Sequence, residues 1–320
     1  MVGVELATEN CTQDGTAPEP GPMNEVRAVR PVGRALLGLA ATGAAAALAG
    51  CPAAPPAVET VGDPYDGPAP AVLPANLKRL VDRITFGANA RETNLAAQLG
   101  YEGYLEYHLN PEGINDADCE RQVKARFPGI TLNAKQLIDR LYSGDYQPYQ
   151  DFINATIFRA TYSRRQLFER IVEFWTDHFS IYIEKDGVTP LKIVDDREVI
   201  RKNALGTFSA ILSASAHSPA MLVYLDNAAS VATDPNQNYA RELMELHTLG
   251  EGNYTQFDVV EVARCFTGWS TEDDGDQANF GTFKYNPYDH DQEPKTVLGH
   301  AFAAGGGQGD GERVLQLLTQ

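Results

Sequence analysis

Apolar positions recur with a helical period along most of the chain. In "ANLKRLVDRITF" the residues Leu77, Leu80, Val81 and Ile84 stand at i, i+3, i+4 and i+7, the spacing of one buried helix face. "NARETNLAAQLG" opens on Asn89, a residue type that caps helix N-termini, and closes on Gly100, the type that ends them. A short helix in "YEGYLEYHLNP" must stop before Pro111, and another covers Leu132 to Leu141. Residues 151–183 contain neither Pro nor Gly and predict one long helix or two joined end to end. Helical patterns follow over 192–205, 208–216, 219–224, 238–249 and 256–268, with Ser218 and Pro219 placed as cap and first helical residue.

The pattern then changes. "STEDDGDQANFGTFKYNPYDHDQEPKTVLG" is rich in Gly, Asp, Asn and Pro, and within it 279–285 alternates as a strand or hairpin arm does. No repeat and no second compositional regime appear. The expected fold is mainly α: an irregular multi-helix domain over residues 75–320, with a short β-hairpin-like segment near its C-terminal part. The stretch after "GGGQGDGE" starts a helix that the chain does not continue, so the domain reads as incomplete at that end.

The N-terminal region has a different character. Arg27, Arg30 and Arg34 precede an uncharged, Ala-rich run from 35 to 49, too short to span a bilayer comfortably. The order of charge, apolar run, small residues and cysteine is that of a secretory signal peptide. Leu48-Ala49-Gly50-Cys51 resembles a bacterial lipobox, with Cys51 as the lipidated first mature residue; the alternative is an Ala-rich helix ahead of a cysteine. On the first reading residues 1–22 are a non-native extension, 23–50 the signal peptide, and 51–74, rich in Pro and Ala, an extended tether. The protein is then exported and held on a membrane by its lipid, in the periplasm or at the cell surface.

Composition narrows the partners. The formal charge is −17, from 26 basic and 43 acidic residues, which repels phosphate backbones and disfavours nucleic acid. Hydrophobic residues make up 43% of the 320, enough for a substantial core. Cys119 and Cys265 could pair in an oxidising compartment or pack as two buried thiols. No phosphate-binding Gly-Lys-Ser/Thr loop, Gly-x-Ser-x-Gly elbow or Cys-x-x-Cys pair occurs, which argues against nucleotide hydrolysis, serine esterases of that type, zinc ribbons and c-type haem.

Three polar groups could carry chemistry. On the helix "QNYARELMEL", Asn238, Arg241, Glu242 and Glu245 share a face at 100° per residue, while His247 points elsewhere. They are either a solvated stripe with an Arg241–Glu245 pair or the floor of a pocket rimmed by Asp226, Asn227 and their neighbours. In "FERIVEFWTDHFSIY", Trp175, His178 and Tyr182 form an aromatic strip, either core or a site in which His178 faces the Glu242/Glu245 helix as base or ligand. In "YNPYDHDQEPK", Asp289, His290, Asp291 and Lys295 form either a turn or a loop that contacts substrate or metal. A divalent metal is the cofactor such residues could recruit; calcium on Asp273, Asp274 and Asp276 fits less well than a solvated acidic loop.

Several of these stretches, taken in order, carry a family resemblance. "LKRLVDRITFGAN", "YSRRQLFERIVEFWTDHFSI", "SPAMLVYLDNAAS", "PNQNYARELMELHTLGEGNYT", "DVVEVARCFTGWS" and "DHDQEPKTVLG" resemble the bacterial family called domain of unknown function 1800. The resemblance runs from about Leu77 onward. It implies an exported protein whose members continue through further helices, and it implies no particular activity. Cys265 stands where a small apolar residue is usual, which weakens the disulfide, and Gln237 stands where Glu is more common.

Two functions therefore compete. One is an envelope enzyme performing acid–base or metal-assisted hydrolysis on an extracellular polymer such as a polysaccharide. In it Glu242, Glu245, Arg241 and His178 are catalytic, and Asp226, Asn227, Asn238, His290, Asp291 and Lys295 bind substrate. The other is a non-catalytic envelope binding or assembly protein in which the same residues form a structural ion-pair network. Convergence of Glu242, His178 and His290 on one reachable cleft would favour the enzyme.

Overall fold

The computed structural model describes residues 67–274 and 277–320. The expected signal peptide with Cys51, most of the expected tether, and Asp276 lie outside the described residues. Twelve α-helices and two small antiparallel strand pairs make up the described chain, a mainly α fold with β structure confined to its C-terminal part.

Helix α1 (Ala75–Ile84) buries the Leu77, Leu80, Val81 and Ile84 face that its period defines. It packs on α2 (Ala90–Leu109), whose first turn is capped by the Asn89 side chain accepting from the Glu92 amide. Gly100 sits inside α2 at φ 71°, ψ −176°, so the element is two helices across a kink; only glycine adopts that backbone cheaply. Tyr104 and Ala96 complete this small core. Helix α3 (Ala117–Arg126) went unpredicted, being polar except for buried Cys119 and Val123. It joins α5 (Gln147–Tyr162) in a second small core with Phe158. Helix α4 (Ala134–Tyr142) carries an Asn133–Gln136 capping box.

The Pro- and Gly-free run 151–183 holds two helices. α5 ends at Tyr162, and α6 (Gln166–His178) restarts after Ser163, whose hydroxyl accepts from the Arg165 amide while donating to Asp116. Helix α7 (Thr189–Asp195) runs into a π-helical stretch, Asp196–Arg201. Helices α8 (Phe208–Ala216) and α9 (Pro219–Tyr224) follow as the pattern predicts, with Ser218 at the N-cap position of α9, but its hydroxyl donates to buried Asp195 at 2.6 Å instead of making a cap hydrogen bond.

Helices α10 (Gln237–Glu245) and α11 (Gln256–Cys265) pack against each other at the centre of the main core, where Tyr239, Leu243, Val262 and Phe266 are essentially inaccessible. Strand β1 (Trp269–Thr271) pairs with β2 (Phe283–Tyr285), the expected hairpin arm, and buries Trp269 beneath α12 (Gly309–Leu317). The second pair, β3 (Lys295–Val297) and β4 (His300–Phe302), was not foreseen. Cys119 and Cys265 are both buried free thiols, and burial pushes the Cys119 thiol up to about 12, so neither is a ready nucleophile. No helix among the described residues is long and apolar enough to cross a membrane.

Candidate functional site

A recess of about 620 Å³, open to solvent, forms where the C-terminal end of α6 meets α10. Asp177 and His178 reach it from α6, Asn238 and Glu242 from α10, and His247 from the turn just beyond. Lys185 and the Tyr224–Leu225 end of α9 close its other side.

The helix end explains how His247 arrives there. The Leu246 amide donates to the Glu242 carbonyl at 2.9 Å, and the His247 amide donates to the same carbonyl at 3.0 Å. Leu249 then reaches back five residues to Met244 at 2.8 Å. The last turn has widened to π-type bonding. A residue five positions after Glu242 is thus rotated back toward Glu242, where uniform 100° steps would have turned it away. His247 is the functional candidate that periodicity missed, and the only cue in the sequence was the Gly250 that stops the helix, which sits at φ 82°.

The imidazoles differ in their surroundings. His178 Nε2 lies 3.1 Å from the His247 carbonyl oxygen. A carbonyl only accepts, so Nε2 carries a proton, and in the neutral form of the ring the lone pair is on Nδ1. His247 is only 5% exposed. Burial, reinforced by His178 nearby, depresses its pKa to about 4, so it is neutral at physiological pH. The two ring centroids are 6.1 Å apart.

Glu242 is half-buried, and among the described residues nothing hydrogen-bonds to or ion-pairs with its carboxylate. The neighbouring charges are otherwise engaged. Lys185 donates to the Tyr224 carbonyl at 2.5 Å and to Asp226 at 2.7 Å. Asp226, exposed and left-handed at φ 60°, therefore stands at the rim as the partner of Lys185.

Other predicted site residues are not in the recess. Arg241 donates to Gln256 at 2.7 Å, which in turn holds Gln237, so the guanidinium lies toward the start of α11. Glu245 accepts from the Tyr254 hydroxyl, and no ion pair joins it to Arg241. The floor predicted from one helix face is thus reduced to Asn238 and Glu242. Asn227 is fully buried and donates to the Phe266 and Trp269 carbonyls at 3.2 and 3.0 Å, which makes it a brace between α9 and β1.

His290, Asp291 and Lys295 form a separate buried cluster rather than a substrate loop. The Lys295 ammonium donates to the Asp291 and Glu293 carbonyls at 2.6 and 3.0 Å and to Asp310 at 2.9 Å, which uses all three of its protons. His290 lies between the Thr267 carbonyl, 2.8 Å away, and Asp310, 3.3 Å away. Burial would raise the Asp291 carboxyl, but two hydrogen bonds from Arg264 hold it below the usual carboxylate range. These groups tie α11 and α12 to the second hairpin and have little capacity left for a ligand. Among the described residues no three His, Cys, Asp or Glu side chains are arranged to hold a metal ion.

The fold and recess define a mainly α-helical domain with an imidazole-and-carboxylate cleft. The family model described as "Protein of unknown function (DUF1800)" matches residues 79–320, and the chain belongs to that family. No curated protein and no solved structure matches.

Proposed function

We propose that this chain is an exported, lipid-anchored envelope protein whose α6–α10 cleft hydrolyses an extracellular polymer by acid–base chemistry. One observation carries the reading: a half-buried Glu242 carboxylate, without a partner among the described residues, shares an open recess with two imidazoles. A carboxylate that the fold leaves unsatisfied is available to a substrate proton. His247, neutral through burial and a weak base with a pKa of about 4, can hydrogen-bond a substrate group without carrying charge, and His178 offers Nδ1 as the proton acceptor. Asn238 and Lys185 supply donors that would orient the scissile group. Such general acid–base assistance typically contributes about 10²–10⁴-fold in rate.

The test is turnover of envelope polymers, peptidoglycan and exopolysaccharide among them, by the purified full chain, with its metal content measured alongside. Glu242→Gln keeps shape and removes the proton-transfer group, so a loss of about 10²–10⁴-fold is expected; an unchanged rate ends the proposal. Lipidation is checked separately: Cys51→Ala should release the protein from membranes, and a variant that stays bound would contradict the anchor.

The second reading is a non-catalytic envelope binding or assembly protein. Lys185 favours it, since its hydrogen bonds to Tyr224 and Asp226 give the cleft wall a structural purpose of its own. Polymer binding without turnover, unaltered by Glu242→Gln, would select it.

A further inference from the structure

A larger recess, of about 720 Å³, lies away from the α6–α10 cleft, between the first half of α2, the start of α3 and the end of α5. Its volume is in the range of small-ligand sites. The acids that line it already have partners within the fold. Glu92, almost fully buried, accepts from Tyr104 at 2.6 Å, lies 3.2 Å from His108 Nε2, and pairs with Arg91 at 3.0 Å. Arg91 in turn holds the Tyr162 and Ser163 carbonyls. Asp116 accepts from the Ser163 hydroxyl at 2.7 Å and the Arg164 amide at 2.8 Å. Asp118 is paired with Arg121.

Four polar side chains at the recess remain unengaged. Among the described residues no hydrogen bond or ion pair is found for the Gln98 amide, the Tyr107 and Tyr162 hydroxyls, or the Arg164 guanidinium. Beside them the wall is apolar, formed by Leu95 and by Phe158, whose ring contacts Tyr162 at 4.5 Å. Counting Arg121 with its partner, the guanidinium groups of Arg91, Arg121 and Arg164 balance the carboxylates of Glu92, Asp116 and Asp118. Arg121 stands outside the lining, and with it counted the positive and negative groups are equal in number, which favours a ligand without net charge. What is left is a mixed set of donors and acceptors next to aromatic faces.

We infer that this recess binds a neutral, hydroxyl-rich oligosaccharide. Each sugar hydroxyl both donates and accepts, as the two phenols and the amide do. The apolar faces of pyranose rings match Tyr107 and Tyr162, side chains with an apolar body and a polar tip. Arg164 contributes donors only. The site would hold a polymer chain whether or not the α6–α10 cleft cuts it, so its failure and the failure of the hydrolase reading are separable.

The experiment is calorimetric titration of the full chain carrying Glu242→Gln, which removes turnover as a complication, with chitotetraose, maltotetraose and the acidic tetragalacturonate. At least one neutral probe should bind with 1:1 stoichiometry and more tightly than tetragalacturonate. The combined Gln98→Ala, Arg164→Ala variant should weaken that binding by about tenfold or more, from the loss of two ligand hydrogen bonds. Both substitutions are at surface positions, and an unchanged circular dichroism melt confirms folding. Absence of binding by both neutral probes, tighter binding of tetragalacturonate, or wild-type affinity in the double variant overturns the proposal.

Discussion

The α6–α10 cleft and the Asp310 cluster are built from the same residue types and do opposite things. Each brings imidazole, carboxylate and lysine together from separate elements. Around Asp310 the Lys295 ammonium has an acceptor for each proton and no exposed side-chain surface, so the charges are spent on joining α11, α12 and the second hairpin. In the cleft, Glu242 has no partner among the described residues, and of the two His178 ring nitrogens only Nε2 is engaged. Residue identity does not separate a site from a brace. The distinguishing property is hydrogen-bonding capacity left over after folding, because a saturated group has nothing to offer a ligand and a buried unsaturated one costs stability.

The sharpest way to break this comparison is to remove Asp310. Asp310→Ala leaves the Lys295 charge buried beside His290, and loss of one partner of a buried pair costs about 3–5 kcal/mol. Urea unfolding should show that loss; a cost below about 1 kcal/mol would mean the cluster is wetter than its burial implies.

Acidification probes the cleft. His247 has a folded-state pKa of about 4 against an ordinary value of 6.5. The unfolded chain therefore binds more protons in that interval, and stability falls as pH drops from about 6.5 to about 4. The full effect is on the order of 3 kcal/mol for this group. His247→Gln should flatten that part of the stability–pH curve, and an identical slope in the variant would contradict the assignment.

Smaller effects complete the contrast. Glu242→Gln should change unfolding free energy by less than about 0.5 kcal/mol, because no folded-state partner is lost. Arg241→Ala, which gives up one exposed hydrogen bond to Gln256, should fall within the same limit. A loss above about 2 kcal/mol at Glu242 would place that residue with the braces.

Much of the helical architecture was legible because burial imposes a period. The Leu77, Leu80, Val81 and Ile84 face of α1, the Asn89 cap and the Gly100 break all lie where the pattern puts them. Helix α3 was not legible, since two buried residues in ten leave no stripe to read. Strands β3 and β4 have three residues each, too few to alternate detectably. Reading the two helices as facing each other puts His178 beside Glu242, and the recess holds both; the same reading puts His290 there, and it lies instead in the Asp310 cluster. His247 did not follow, because the widened last turn of α10 rotates it by more than regular helical geometry allows. The polar loop 289–295 misled for a different reason: its partners Arg264 and Asp310 are distant in sequence and saturate it only after folding.

The central claim is that imidazoles from α6 and from the end of α10 share one recess with Glu242. The most direct measurement is an NMR pH titration of the histidine ring carbons in the wild type and in His178→Ala. His247 should titrate near pH 4 in the wild type and at higher pH once the neighbouring imidazole is gone. A His247 that titrates at its ordinary value of 6.5, and does not respond to loss of His178, would contradict the account.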